Sequence, residues 1–395
     1  MPSPDQDNGW RQTVETRPQG KTPRICMPTA RQFTKRAYQC SLYEAQDVLH
    51  EIDDVDLICL EPTWGFQLKA RWQRRLIYRD VSRRLIFLNP GLKRVRLRHE
   101  YDVFVAVCQN HWDLFYINAI EGWKDRCKTS VCWLDELWAA DIPFCRYWLH
   151  ALRQFDHVFI GCSGTVVPLS NAIGRTCRWL PGGIDVLRFS PYPQPPPRVI
   201  DVYSIGRRWE GIHQALLRES RHNDFFYVHD TFPGMANMEP HNPAQHRELF
   251  ANMAKRSRYF LVAPGKIDLP GETQGQVEVG YRYFEGAAAG AVMIGQPPHC
   301  ETFSELFPWP DAVIPIQPDG SDVIEVLARL DSEPARASEI RQRNAAESLL
   351  RHDWMYRWKE IFRFAGLEPS PGMTSRERRL KSLAVLASNL VETKS

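Results

Sequence analysis

Short apolar runs that alternate with helix-like segments along most of the chain are the feature that most restricts its fold. Most of these runs are continuously apolar, which is typical of strands covered on both faces. In the first half they are RICMPTA, DVDLICLEP, YDVFVAVCQN, KTSVCWLD, FDHVFIGC and CRWLPGG. The segments between them, such as SLYEAQDVLHEI and PFCRYWLHALRQF, have helical periodicity. Strands and helices in alternation predict an α/β protein with parallel, doubly wound sheets.

A proline-rich segment at residues 190–198 interrupts this alternation. Its sequence, SPYPQPPPR, has five prolines in nine residues, a density that suits neither a helix nor a central strand. After it the pattern restarts, with VIDVYSIG, DFFYVHD, RYFLVAPG, AVMIGQP and DAVIPIQP as strands. A chain of 395 residues is also too long for one ordinary core. The sequence therefore predicts two Rossmann-like domains that face each other across a cleft.

The predicted domain boundaries follow from these patterns. We expect a disordered tail at 1–20, an N-terminal domain at 21–189, a linker at 190–198, a C-terminal domain at 199–366, and a tail with a helix at 367–395. That helix, TSRERRLKSLAVLASNLV, is amphipathic with Thr374 and Ser375 as predicted caps, and it could cross back to the first domain. Because ligands bind at the carboxyl ends of parallel strands, the cleft is the expected site.

Composition and residue spacing argue against several classes of protein. With 43% hydrophobic and 25% charged residues the chain is globular. It has no eighteen-residue apolar run and no signal-peptide pattern, so we expect a cytoplasmic protein. Its ten cysteines form no C-x-x-C pair, and its twelve histidines show no metal-binding spacing. We therefore expect buried reduced thiols, no metal and no cofactor.

The segment VYSIGRRWEG contains residues suited to binding phosphate. Gly206 permits a tight turn at the end of a strand, and Arg207 and Arg208 follow it. Two guanidinium groups at that place can bind the oxygens of a diphosphate. The plainer interpretation is a solvated basic turn.

The segment YRYFEGAAAGAVMIGQPP places a carboxylate before a run of small residues. If residues 276–290 form a helix, Glu278, Arg282 and Glu285 share one face of it. They could form a ladder of intrahelical ion pairs, which contributes little to stability. Alternatively, the helix N-terminus lies at an anionic group and a carboxylate binds ribose hydroxyls. The small residues would let such a helix approach the sheet and the ligand closely.

In this arrangement the chain resembles the GT-B glycosyltransferases of the family-4 type (glycosyl transferases group 1), in particular their CgeB-like branch. Four stretches carry the resemblance in the same order, CRWLPGGIDVLRFSP, SIGRR, RYFEGAAAGAVMI and HDWMYRW. The resemblance implies that Gly206 and Arg207 meet the donor diphosphate, with Arg208 as a second candidate, and that Glu285 holds the nucleotide ribose. The family's earlier glutamate, which contacts the donor sugar, corresponds to Val277, so Glu278 is one residue out of register.

The first domain departs further from that family. Many members have a histidine at the end of a strand near the reacting sugar carbon, where this chain reads VCWLDELW, with Asp135 or Glu136 at that place. ICMPTARQF replaces the family's glycine-rich loop. A strand-end carboxylate that faces a cleft can act as a base or orient a hydroxyl, so Asp135 is a catalytic candidate. His111 is a second candidate, although a lone histidine is commonly structural.

Residues 69–98 form a basic segment with eleven Lys or Arg, one acid and interleaved aromatic and aliphatic residues. The first interpretation is the basic outer face of a packed helix. The second is contact with an anionic membrane, which the resemblance supports because such enzymes often use lipid-linked acceptors. Nucleic-acid binding comes third, since no motif for it is present.

These observations predict a glycosyltransferase that moves a sugar from a nucleotide-diphospho-sugar to a hydroxyl acceptor without a metal. Arginines and helix N-termini would stabilise the leaving diphosphate. The resemblance implies retention of configuration, whereas Asp135 acting as a base would allow inversion. The alternative is a catalytically silent GT-B module that binds a sugar nucleotide or a partner protein. No sequence feature requires a sugar-nucleotide epimerase, the third possibility.

Overall fold

A computed structural model describes residues 23–79, 81–222, 224–231 and 238–389. The disordered tail predicted at residues 1–20 lies outside these ranges. The strands are β1 (Ile25–Thr29), β2 (Val55–Cys59), β3 (Val95–Arg96), β4 (Tyr101–Cys108), β5 (Ile120–Glu121), β6 (Cys127–Leu134), β7 (His157–Ile160), β8 (Cys177–Trp179), β9 (Ile200–Ser204), β10 (Tyr227–His229), β11 (Ser257–Val262), β12 (Val292–Gly295) and β13 (Ile314–Pro315).

Helices connect these strands and cover the sheets. The α-helices are α1 (Cys40–Ile52), α2 (Phe66–Tyr78), α3 (Trp123–Arg126), α4 (Ile142–Cys145), α5 (Val166–Ile173), α6 (Val186–Phe189), α7 (Glu210–His222), α8 (Pro243–Lys255), α9 (Pro270–Thr273), α10 (Tyr281–Ala288), α11 (Glu301–Leu306), α12 (Val323–Ser332), α13 (Pro334–Arg351), α14 (Trp354–Ala365) and α15 (Pro371–Asn389). Shorter 3-10 helices occupy Ala37–Gln39, Arg83–Phe87, His111–Ala119, Ala139–Asp141, Trp148–Gln154 and Ser163–Thr165.

The first sheet has six parallel strands in the order β2-β1-β4-β6-β7-β8. Ile25 of β1 lies opposite Val55 of β2 on one side and Val103 of β4 on the other. Four of these six strands, β1, β4, β6 and β7, have mostly buried side chains, as expected for strands with helices on both faces. The chain changes its direction of progress between β1 and β4, so the crevice at their carboxyl ends is a topological switch point.

The second sheet has five parallel strands in the order β10-β9-β11-β12-β13. Its switch point lies between β9 and β11. The predicted strands of both sheets are found, but β13 is reduced to two residues of the predicted 311–318. These two sheets confirm the predicted doubly wound α/β architecture, and residues 190–199 connect α6 of one half to β9 of the other.

Two helix predictions, one in the first half and one at the C-terminus, differ from the structure. The segment 143–155 is not one helix but α4 followed by a 3-10 helix, with a proline in the first turn of α4. The C-terminal helix begins at Pro371, before the predicted caps Thr374 and Ser375. The cap is Ser370, whose hydroxyl accepts a hydrogen bond from the Met373 N–H at 3.0 Å.

Helices after the second sheet return to the first. α14 packs on α1 and β6, while α15 packs on α13, α14 and α1. One apolar core therefore runs from Trp133 and Phe159 of the first sheet through Trp354 and Trp358 of α14 to Tyr283 of α10. This packing fulfils the expectation of a C-terminal crossing. In the described ranges, none of the helices combines the length and apolar character that crossing a bilayer requires.

Candidate active site

Gly206 lies at the switch point of the second sheet, two residues after β9 ends. Its φ of +82° is in the left-handed region, which glycine adopts without strain. Its N–H donates to Asp230 Oδ2 at 3.2 Å, and Asp230 itself directly follows β10. A Cβ on Gly206 would lie 3.5 Å from Arg282 Nη2, so this turn and the start of α10 are in contact distance.

The two arginines after Gly206 each face a carboxylate. Arg207 pairs with Asp268, and both side chains are about half exposed. Arg208 pairs with the Asp230 carboxylate and also donates from Nη2 to the Asp230 carbonyl at 3.0 Å. The turn therefore concentrates cationic groups whose present partners are side chains of the same sheet edge, and an anionic ligand could replace those partners.

Glu285 is the most buried of the predicted donor-site residues, with 1% of its surface exposed. It lies on α10 and pairs with Arg282 one turn earlier. Its Oε1 accepts a hydrogen bond from Arg247 Nη1 of α8 at 2.5 Å. The Arg282 guanidinium lies over the Phe250 ring at 4.8 Å. The structure thus brings Gly206, Arg282 and Glu285 together at one edge of the second sheet.

Glu44 of α1 extends this arrangement into the first half of the chain. Its carboxylate, 1% exposed, accepts from Arg247 Nε at 2.9 Å and from Arg188 Nη1 at 3.1 Å. Although burial opposes ionisation, Arg247 lowers the pKa of Glu44 overall. Glu44, Arg247, Glu285 and Arg282 therefore form a continuous chain of alternating charges, the interlobe ion chain, which is buried except at the half-buried Arg282 and which the sequence did not reveal.

Glu278 lies outside α10, so the predicted helix over 276–290 was wrong at its start. Helix α10 covers only Tyr281–Ala288, because its N-cap Gly280 is extended and the Glu278 carbonyl accepts from the Gly265 N–H at 3.0 Å instead of from a helical turn. The Glu278 carboxylate accepts from the N–H groups of Ser163 at 2.9 Å and Gly164 at 2.8 Å, across the cleft. It therefore does not share a helix face with Arg282.

The small residues of this segment do allow the close approach that was expected. A Cβ on Gly286 would lie 2.8 Å from Phe260 Cδ1 and 3.0 Å from Met293 Cγ. Both neighbours belong to the strands beneath the helix. Any larger residue at 286 would push α10 away from the sheet.

Asp135, directly after β6, lies where the two halves meet. Its Oδ1 accepts from the Tyr281 hydroxyl at 2.6 Å and its Oδ2 from Gln109 Nε2 at 3.0 Å. Burial is the largest cause that raises the pKa of Asp135 to about 7, with the Glu136 charge acting in the same direction. A carboxyl group with a pKa near neutrality can exchange protons at physiological pH, as a general base must.

His111 lies in an aromatic cluster of the first half. Its Nε2 is 2.7 Å from the Tyr78 hydroxyl, which also accepts from Trp112 Nε1 at 2.6 Å, and its ring packs on Trp148. Burial lowers the pKa of His111 to about 4. The structure shows no contact between His111 and Asp135, and Glu136 is engaged by Trp138 Nε1 at 2.9 Å.

No group of three or more His, Cys, Asp or Glu side chains is arranged to hold a metal ion within the described part of the chain. The cationic groups at the second sheet edge are arginines. Several side chains that shape the site were missed from the sequence: Glu44, Gln109, Asp230, Arg247 and Tyr281. Only the position of Glu44 inside the apolar stripe of α1 gave a signal, since a buried acid needs a partner.

Comparison with known proteins gives one family match. Residues 198–363 match the sequence model of the family described as glycosyl transferase-like. No curated protein sequence matches the chain.

Solved structures with the same fold include an α-glucosyltransferase in complex with UDP and a 13-mer DNA containing an HMU base. It is 12% identical, with 87% of this chain and 98% of that chain covered and a TM-score of 0.53. An α-glucosyltransferase with UDP-glucose and DNA containing an abasic site gives 12% identity, 87% and 99% coverage and a TM-score of 0.52. HepE of Anabaena in complex with UDP-glucose is 12% identical, with 87% of this chain and 99% of that chain covered and a TM-score of 0.46.

Proposed function

Since the chain is a glycosyltransferase of the GT-B fold, we propose that it moves a sugar from a nucleotide-diphospho-sugar to a hydroxyl acceptor. The donor would bind at the edge of the second sheet, and the acceptor would approach from the first. The observation that carries this proposal is the position of Gly206, Arg282 and Glu285 together at the β9–β11 switch point. Ligands of open α/β sheets bind at such points.

In the proposed complex the diphosphate replaces the carboxylates that now pair with the arginines. Arg207, half exposed, can leave Asp268 at little cost, because surface ion pairs contribute little. Arg208 and the N-terminus of α10 add positive potential near Gly206. Glu285 accepts hydrogen bonds from the ribose hydroxyls, which requires an opening of the cleft around its buried carboxylate.

Charge that develops on the leaving diphosphate is stabilised by the arginines, so we propose a reaction that needs no metal. Asp135 orients the acceptor hydroxyl or takes its proton. We propose retention of configuration on the strength of the family resemblance; transfer with inversion would instead assign Asp135 the role of base. Proton NMR of the first product anomer distinguishes the two outcomes, and full activity in excess chelator is the result expected for a metal-independent enzyme.

Nucleotide release from a panel of nucleotide sugars tests the function. Uridine diphosphate sugars come first in the panel. We expect release of nucleotide that increases when hydroxyl acceptors are added and that disappears in Glu285→Ala. Tight nucleotide binding without turnover of any donor would favour the alternative, a catalytically silent module. Two observations support that alternative: Val277 stands at the position of the sugar-contacting glutamate, and Glu278 accepts a hydrogen bond from Ser163.

The basic segment at 69–98 supports a second proposal, contact with an anionic membrane. On α2, Phe66 and Ile77 face the core, while Leu68 and Trp72 are exposed together with the basic residues. Trp64, before the helix, is fully exposed. A surface of this kind can insert aromatic side chains among lipid head groups.

Co-sedimentation with vesicles tests this membrane proposal. We expect binding to phosphatidylserine-containing vesicles at low salt, weaker binding at high salt, and a loss of binding in Trp72→Ser. Equal recovery with neutral and anionic vesicles would contradict it.

A further inference from the structure

Tyr281 is the first residue of α10, and its side chain reaches out of the second half of the chain. Its hydroxyl donates at 2.6 Å to Oδ1 of Asp135, which lies 146 positions earlier in the first half. The next residue, Arg282, pairs with Glu285 and lies 3.5 Å from the place that a Cβ on Gly206 would take. The first turn of α10 therefore contacts the proposed donor edge with one residue and the proposed acceptor-side carboxylate with the residue before it.

The phenol ring of Tyr281 is held by close packing. A Cβ on Gly182 would lie 2.9 Å from Tyr281 Cε1 and 3.2 Å from its hydroxyl oxygen, so glycine at 182 leaves room for the ring in this position. The rings of Trp354 and Phe284 also pack on it, with centroids at 6.1 and 6.4 Å. Because this packing fixes the ring, the hydroxyl is directed toward Asp135 without the help of a ligand.

Asp135 depends on this hydroxyl because its surroundings disfavour a negative charge. Burial is the largest cause that raises its pKa to about 7, and the Glu136 charge acts in the same direction, whereas the hydrogen bonds from Tyr281 and Gln109 lower it. The Cys162 thiol, 3.9 Å from the Asp135 carbonyl, stays neutral, since burial raises its pKa well above the usual range. No arginine or lysine among the described residues forms an ion pair with Asp135, so its ionised form relies on two neutral donors.

Tyr281 itself remains a donor at neutral pH. Burial and then the Asp135 charge raise the pKa of the phenol well above its usual range, while Arg247 and Glu285 act on it in opposite directions. A protonated phenol next to an ionised carboxylate donates its hydrogen to it. Loss of the hydroxyl would leave Gln109 as the remaining donor to this carboxylate among the described side chains.

We propose that Tyr281 is a positioning residue for the transfer: its hydroxyl holds the Asp135 carboxylate in place and in its ionised form while Arg282 meets the donor. One helix turn then aligns the two sides of the cleft. The role of Asp135 in transfer rests on the proposed function, whereas the effect of the phenol on the carboxylate does not.

Tyr281→Phe keeps the ring and removes only the hydroxyl. The titration of Asp135 is followed on the full chain through its ¹³C-labelled side-chain carboxyl signal, which is assigned by its loss in Asp135→Asn. We expect the midpoint to move upward by at least about one pH unit in Tyr281→Phe, because the ionised form loses a hydrogen bond. An unchanged or lowered midpoint would overturn the proposal.

Tyr283→Phe is the matched control on the same helix. Tyr283 is fully buried, and its hydroxyl donates at the same distance, 2.6 Å, to the backbone carbonyl of Gln296. This variant should lose a comparable hydrogen bond and leave the Asp135 midpoint unchanged. An equal shift in both variants would mean a general loosening of α10 and would refute the specific role of Tyr281.

Gly182→Ala provides a second route to the same loss if Tyr281→Phe does not fold. Its methyl group must push the phenol ring aside, because the two would otherwise be 2.9 Å apart. The Asp135 midpoint should again rise, and in that case the absence of a rise overturns the proposal.

Kinetics then test the role in transfer. In Tyr281→Phe we expect the acid-side inflection of kcat/KM to move upward with the Asp135 midpoint and the plateau above it to fall at least about tenfold, while the KM for the donor is unchanged. A lower plateau with an unmoved inflection would mean a purely structural role. If the midpoint shifts but no nucleotide sugar is bound or turned over, the proposed function fails and the effect of Tyr281 on Asp135 stands. Turnover with an unchanged midpoint and inflection refutes the role of Tyr281 alone.

Discussion

Replacement of Arg247 by methionine should be among the most destabilising single changes in this protein. The guanidinium makes three hydrogen bonds to two buried carboxylates, at 2.9 and 3.3 Å to Glu44 and at 2.5 Å to Glu285. Although burial opposes its charge, these carboxylates raise the pKa of Arg247. Methionine fills much of the same volume but leaves both carboxylates buried and short of a cation.

The magnitude follows from the partners that remain. Removal of one member of a buried ion pair costs about 3–5 kcal/mol. Because Arg188 still pairs with Glu44 at 3.1 Å and Arg282 with Glu285, we expect a loss near the lower end, about 3 kcal/mol in the free energy of unfolding.

Urea unfolding of the variants of a double-mutant cycle measures the interaction energy between Arg247 and Glu44. Arg247→Met and Glu44→Gln are made singly and together. Because the two side chains are in direct contact, the double variant should lose at least about 1.5 kcal/mol less than the sum of the single losses. Arg363→Met is the matched control: its ion pair with Glu360 is exposed, so it should cost less than about 1 kcal/mol. Additivity within about 0.5 kcal/mol, or equal costs of Arg247→Met and Arg363→Met, would refute the interlobe ion chain.

Three further predictions concern the cleft. The pKa of Asp135 is raised from 3.8 to about 7, so the folded state holds its proton more tightly than the unfolded state, and stability should fall between pH 4 and pH 7, by on the order of 4 kcal/mol. In Asp135→Asn, the free energy of unfolding measured in urea should depend less on pH, and the acid-side inflection of kcat/KM near pH 7 should disappear. If neither pH dependence changes in the variant, the raised pKa of Asp135 is contradicted. Gly206→Ala, forced to a φ of +82°, should lower the free energy of unfolding by about 1–2 kcal/mol in the same urea assay, and no loss would exclude that conformation. Glu278→Gln, which presents an amide to two backbone N–H donors and to the Gln276 side-chain amide, should cost about 1–3 kcal/mol in stability but change UDP affinity less than twofold in calorimetry; a large loss of affinity would place Glu278 at the donor.

The architecture could be predicted because continuous apolar runs are a local signal. The apolar composition of YDVFVAVC and KTSVCWL indicates strands that are covered on both faces. In the structure these segments form β4 and most of β6. The carboxyl ends of these strands followed as the expected ligand-binding edge, whereas the strand order that defines the switch points comes from the packed sheets. Periodicity failed where a contact with another segment overrode it, as at Glu278, whose carbonyl accepts from the Gly265 N–H, so that α10 begins only at Tyr281.

The partners of the buried charges were beyond a single sequence. Glu44 and Arg247 are 203 positions apart and meet only because α1 and α8 pack across the cleft. Gln109 and Asp135 meet because β4 and β6 are neighbours, and no pattern of residue types records that pairing. Sequence identifies which face of an element is buried, whereas the contact between two faces requires the packed structure.

The central claim, that the β9–β11 edge binds a nucleoside diphosphate through Arg282 and Glu285, is tested most directly by calorimetric titration with UDP. The unmodified protein should bind with one site, and Arg282→Ala and Glu285→Ala should each weaken binding at least about tenfold, since each loses a charged hydrogen bond to the ligand. The exposed arginine variant Arg363→Met should bind as the unmodified protein does. UDP affinity that is the same in all four proteins would contradict the donor site.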